Sequence, residues 1–135
     1  MSERHQIIHR IYEAFSRRDL AAVIAELHED SQVDFTRSLG PDSGVYPGAE
    51  GIRRLLDLYW EAFEDLTLDA ETFVDGTDDV VALVVARGRG RGSGVRVEAR
   101  GPHLWSFRDG KPFRFTLYQE KAEALQAAGL GESDD

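Results

Sequence analysis

The 135-residue chain contains no cysteine, so it can hold no disulfide, no thiolate nucleophile and no cysteine-ligated zinc. No apolar run nears the roughly 18 residues of a membrane-spanning helix. The opening MSERHQIIHR also lacks the apolar stretch of a secretory signal. Basic residues are in deficit: 16 Lys and Arg face 25 Asp and Glu, a formal net charge of -9 that repels nucleic acid and anionic membrane surfaces. Phosphate loops, nucleophile elbows and dinucleotide fingerprints are missing too. The expectation is a cytoplasmic protein with no nucleic-acid partner, no membrane partner and no cofactor.

What is present is material for one core. Hydrophobic residues make up 41% of the chain and include 7 Phe, 4 Tyr and 2 Trp, too much for a disordered segment and about right for a single domain. That domain is expected to span 1–135, with a core from about 5 to 130 and a frayed tail over 131–135. Ile7, Ile8, Ile11, Tyr12 and Phe15 recur at helical spacing and predict a helix over about 3–17. Asp19 stands where an N-cap would, before a second stripe of Leu20, Val23, Ile24 and Leu27. Residues 31–35 suit a short strand, and the Gly/Pro/Ser-rich stretch 36–48 reads as a loop that could serve as a lid. Ile52, Leu55, Leu56, Tyr59 and Phe63 form a third helical stripe, with Trp60 beside it.

Beyond Leu66 the period changes to that of strands. β-branched and aromatic runs broken at Asp75-Gly76, at 88–94 and at Asp109-Gly110 predict a four-strand antiparallel meander, with Asp109-Gly110 the strongest hairpin signal. Glycines at 88, 90, 92 and 94 allow the middle strands to bend. Residues 120–128 predict a last helix closed by Gly129, with Leu130 packing on Leu125. The fold class is therefore α+β: a cone-shaped, curved antiparallel sheet covered by three helices from the N-terminal half, with a short C-terminal helix.

That order of elements, with VYPGAEGIRRLLDLYWEAFED (45–65), FRDGK (107–111) and YQEKAEALQAAGL (118–130), resembles the SnoaL-like branch of the nuclear transport factor 2-like superfamily over about residues 5–130. The resemblance implies a pocket inside the cone. Relatives include ketosteroid isomerases and polyketide cyclases, so it also implies candidate chemistry. The isomerases' general-base Asp aligns with Phe35, one residue from Asp34; their oxyanion Tyr aligns with Ile11, beside Tyr12. The cyclases' acid/base Asp aligns with Leu117. The isomerase Asp that donates to the developing oxyanion aligns with His103.

His103, Trp105 and Phe107 alternate on one strand face, and an imidazole with an ordinary pKa of about 6.5 can donate or accept near neutral pH. His103 is the first catalytic candidate and Asp34 the second, with Arg37 beside it at the mouth. Phe113, Phe115, Leu117 and Gln119 alternate on the last strand, while Tyr12, Phe15, Phe35, Tyr59, Trp60 and Phe63 complete an aromatic wall suited to flat apolar ligands. Glu120 is assigned to the start of the last helix. His5 and His9 are spaced for a shared metal, but no third ligand is in register, so no metal is expected and both are read as solvent-exposed. Arg87, Arg89, Arg91, Arg96 and Arg100 have no stacking aromatics among them, and are read as solvent-facing or paired with the surplus acids of a partner subunit.

Two functions compete on these residues. One is a pocket for a small apolar, polycyclic molecule, extending to isomerase- or cyclase-type proton transfer. The other is a non-catalytic module, or a homodimeric scaffold meeting through the open sheet face, whose cone is filled by Trp60, Phe63, Trp105 and Phe115.

Overall fold

Ser2 accepts a hydrogen bond from the His5 backbone N–H (3.1 Å) and starts α1, Glu3–Ser16. The computed structural model describes residues 2–130; the expected fraying of 131–135 lies outside the described residues. The stripe Ile7, Ile8, Ile11, Tyr12 and Phe15 is buried as its spacing requires. Arg18 turns the chain in the left-handed region (φ 61°), and the Asp19 carboxylate caps α2, Leu20–Ala25, by accepting from Ala22 N–H at 3.1 Å. This second helix is shorter than its stripe suggests: Leu27 lies past its end and packs on the core from a loop.

β1 (Gln32–Asp34) is followed by a loop in which the sequence hid a strand, β2 (Val45–Pro47), paired antiparallel to β1. Three residues between Gly44 and Gly48 carry no periodicity of their own. What makes them a strand is the partner and the burial of Tyr46 against Phe35 and Leu55. α3 (Gly48–Ala62) ends one residue before Phe63, which is extended and opens β3 (Phe63–Asp75). β4 (Asp79–Gly90), β5 (Arg96–Arg108) and β6 (Lys111–Leu117) complete the antiparallel meander, and α4 (Lys121–Ala127) closes the chain. The sheet order is β2-β1-β6-β5-β4-β3, with β1 joining β6 in parallel.

Two local devices shape the sheet. In β3, Asp65 and Leu66 together oppose Gly88 of β4, with Asp65 at φ 55°. That is a bulge, which bends and twists the strand. A Cβ on Gly88 would stand 3.2 Å from the Leu66 Cα, so the glycine expected to permit bending does so by close approach. A second irregularity leaves Glu71 unopposed between Ala70 and Thr72. At the other hairpin, Asp109 and Gly110 both have positive φ (54° and 79°), as a type I′ turn demands.

The concave face of the sheet packs on α1, with Ile8, Ile11, Phe15, Val80, Ala82 and Trp105 in one cluster, and α3 flanks it. On the outer face Val81, Leu104, Tyr118 and Ala124 bury α4, whose end is a Schellman cap: Leu130 N–H to Leu125 C=O at 2.7 Å and Gly129 N–H to Gln126 C=O at 3.0 Å. No helix among the described residues is long and apolar enough to cross a membrane.

α3 approaches β2 through Gly51, where a Cβ would fall 2.6 Å from the Tyr46 carbonyl carbon. Gly51→Ala should therefore lower stability by about 1–3 kcal/mol through overpacking, although alanine is the better helix former by ~1 kcal/mol. Thermal denaturation checks it: the midpoint should fall by several degrees, and a rise would contradict the close packing.

Candidate functional site

Between α1, α3 and the bent sheet lies a cavity of about 380 Å³. Tyr12 and Phe15 of α1, Tyr59 of α3, Phe63 of β3, Trp105 and His103 of β5, and Phe115 and Leu117 of β6 line it, joined by Phe35 from the chain after β1. Val97, Ala99 and Gln119 line it too and are exposed, which marks the mouth. The cone is thus open rather than filled by its own aromatics. Among the described residues no carboxylate lines the wall.

The wall's polar centre joins two elements. Trp105 Nε1–H donates to the Tyr12 hydroxyl at 2.9 Å, and the same hydroxyl lies 2.7 Å from His103 Nδ1. His103 stacks edge-on to Phe115 with ring centroids 4.7 Å apart, and so does Trp105. No hydrogen-bond partner for His103 Nε2 stands among the described residues. The ring is deep within the protein yet keeps part of its surface accessible through the cavity. Burial pushes the His103 pKa down to about 3 and the Tyr12 phenol up, so both are neutral near pH 7.

The remaining candidates fall in three places. Trp60 is in the core, tilted on Phe15 with Nε1–H donating to the Phe15 carbonyl (3.2 Å), and does not reach the cavity. Asp34 also lies off the wall. Its Oδ1 accepts from Thr36 N–H (2.9 Å) and Thr36 Oγ1–H (2.7 Å). Burial raises its pKa, but those bonds and the charges of Arg37 and Arg114 outweigh it and hold the carboxyl below its ordinary value. Arg37 lies over the Tyr118 ring at 4.5 Å, outside the cavity, while its carbonyl accepts from the rim residue Gln119 Nε2–H at 3.0 Å.

Phe113 departs from the alternation with Phe115 and Leu117. Phe107 pairs with Pro112 and Ser106 with Arg114, so Phe113 is an extra residue. Its ring sits under Arg108 (4.1 Å) and Arg114 (5.7 Å), and Pro112 lines the cavity instead.

Sequence reasoning missed Asp42. Its carboxylate accepts from the hydroxyls of Tyr59 and Ser38, and its carbonyl from Tyr46 Oη–H at 2.9 Å. The 36–44 loop is thereby tied to the cavity wall. Within Pro41-Asp42-Ser43-Gly44 the residue carried only a turn signal. Glu120 is the N-cap residue of α4 and is not on the wall. His5 and His9 are not solvated as read: His5 stacks on Phe73 at 4.3 Å and bonds Asp75 at 2.7 Å, and His9 meets the same ring edge-on at 5.2 Å. Four of the five arginines around the glycine-rich hairpin pair within the chain, Arg87 with Glu98, Arg89 with Asp65, Arg91 with Glu64 and Arg100 with Glu71, while Arg96 is exposed as read.

A bent sheet wrapped over an aromatic cavity is the architecture of nuclear transport factor 2-like proteins. Residues 8–115 match the SnoaL-like domain family, and the chain belongs to it. A comparison with curated protein sequences finds no match. Among solved structures it is similar to a nuclear transport factor 2-like protein of unknown function from Burkholderia pseudomallei, at 24% identity over 95% of this chain and 98% of that one, TM-score 0.77. TerC, co-crystallised with polyporic acid, shares 22% identity over 94% and 98% of the two chains, TM-score 0.78. A Mycobacterium tuberculosis protein in complex with estradiol-17beta-hemisuccinate shares 18% identity over 90% and 96%, TM-score 0.74. At these identities the likeness shows the fold.

The buried neutral imidazole makes stability depend on pH. The unfolded chain takes up a proton on His103 near pH 6.5, the folded chain only near pH 3, so this group's contribution is full above 6.5 and is lost progressively as pH falls toward 3, by at most ~1.4 kcal/mol per pH unit. Urea denaturation of wild type and His103→Gln at pH 7, 6 and 5 should show a shallower decline in the variant; parallel declines would contradict the burial.

Proposed function

We propose that this protein binds a flat, largely apolar small molecule inside the cone. The observation that carries the reading is an open cavity of about 380 Å³ whose wall is largely aromatic and aliphatic, with His103 and its hydroxyl partner Tyr12 as a polar centre and Gln32, Arg100, Arg114 and Gln119 also on the lining. That volume lies within the roughly 300–1,000 Å³ of small-molecule sites. The ligands held by TerC and by the M. tuberculosis protein, polyporic acid and estradiol-17beta-hemisuccinate, support the reading, because both proteins share the fold.

Binding is favoured over carboxylate-driven proton transfer because the wall carries no carboxylate among the described residues, and Asp34 is engaged by Thr36. A second reading keeps proton transfer with His103 as a neutral base or hydrogen-bond donor, favoured by the placement of that ring in the wall. It requires that His103→Ala abolish turnover of a substrate the wild type converts. A homodimer through the open sheet face belongs to the same proposal. The Arg87–Glu98 and Arg100–Glu71 pairs put both signs of charge on β3, β4 and β5, as a self-complementary contact needs.

A thermal-shift screen against steroids, aromatic polyketides and terpenoid epoxides tests the binding. A ligand at 100 times its Kd adds about 2.7 kcal/mol, a rise of several degrees. Leu117→Trp, which fills the cavity, should abolish the shift. A shift that survives that substitution would place the ligand elsewhere.

A further inference from the structure

The hydroxyl of Tyr12 has two neighbours, and their chemistry decides where the hydrogens lie. An indole nitrogen only donates, so Trp105 Nε1–H, at 2.9 Å, occupies one lone pair of the Tyr12 oxygen. His103 Nδ1 stands 2.7 Å from the same oxygen. Were the imidazole hydrogen on Nδ1, Tyr12 would accept twice, and its own buried O–H would have no acceptor among the described residues. Buried donors are almost always satisfied, because leaving one unmade forfeits its hydration with nothing in return. With the O–H directed at Nδ1 instead, the enclosed Tyr12 and Trp105 donors are both satisfied, and the ring's one hydrogen resides on Nε2, where the cavity supplies the acceptor.

We infer that Tyr12 and Trp105 are positioning residues that hold His103 as its Nε2–H tautomer, so that the aromatic part of the cavity wall presents an N–H donor at His103 and takes ligands carrying a carbonyl oxygen at that point. This rests on the reading of the cavity as a small-molecule site. A hydrocarbon of the same shape leaves Nε2–H without a partner in an apolar enclosure, whereas a carbonyl oxygen satisfies it. Trp105 acts at one remove: by filling a lone pair on the Tyr12 oxygen it leaves the O–H of Tyr12 free to turn toward Nδ1. The chain thus crosses from β5 to α1 and back to β5, and both ends, Trp105 and His103, share one strand face two residues apart.

Two measurements test this separately. Long-range ¹H–¹⁵N correlation of histidine-labelled protein at pH 7 reads the tautomer directly. Wild type should show His103 with a protonated Nε2 and a bare Nδ1, and Tyr12→Phe should lose that single-tautomer signature. A wild type protonated on Nδ1, or a Tyr12→Phe signature identical to wild type, overturns the assignment. Calorimetric binding of fluorenone against fluorene, two rings of the same shape differing by a carbonyl, reads the selectivity. Wild type should bind fluorenone roughly tenfold more tightly, the worth of one buried hydrogen bond, and Tyr12→Phe or His103→Phe should bring the two within about twofold. Equal binding by wild type overturns the carbonyl preference. Binding of neither compound overturns the small-molecule reading, while the nitrogen spectrum still decides the role of Tyr12.

Discussion

The cavity exists because β3 cannot run straight. Asp65 and Leu66 crowd into the space opposite a single residue of β4, and a glycine at 88 gives them room, since a Cβ there would press on the Leu66 backbone. The bend turns a flat sheet into one with an inside. The helices then lie across that inside, and α1 buries Ile8 and Phe15 against it. The space left over is the cavity.

Keeping such a space open in water requires that its wall hold no unsatisfied polar group beyond those a ligand can meet. The backbone of the wall is spent in sheet pairing. The Tyr12 hydroxyl is spent on Trp105 and His103, and the Tyr59 hydroxyl on Asp42. The bond from Tyr59 also ties the 36–44 loop to the wall, so the same contact that quiets a buried hydroxyl places the loop. On the sheet Arg87, Arg89 and Arg100 are matched by Glu98, Asp65 and Glu71 of other strands.

Features set by a few adjacent residues were legible in the sequence. The α1 stripe, the Asp19 cap, the Asp109-Gly110 turn and the Gly129-Leu130 cap each depend on spacing or backbone conformation within one segment. Features set by a distant partner were not. β2 is a strand because β1 is beside it, β1 lies parallel to β6 across some eighty residues of chain, and Phe113 leaves the wall because of a register shift against β5. The wall follows the same division. The alternation of His103 and Trp105 put them on one face, and the helical stripe put Tyr12 inward, but the hydroxyl that joins them spans two elements. Trp60 sits beside the stripe of α3, and spacing alone could not tell the core from the cavity. For Asp34 and Arg37 the decisive contacts, Thr36 and Tyr118, were equally invisible.

The central claim is that the cone stays open between Tyr12, Phe35 and Trp105 in the unliganded protein. Diffraction from crystals pressurised with xenon tests it most directly, because xenon enters dry apolar voids and scatters anomalously. The account predicts an anomalous peak enclosed by those three rings and Phe115. A site without xenon, with the Phe35, Tyr59 and Phe115 rings closed over one another, would contradict it.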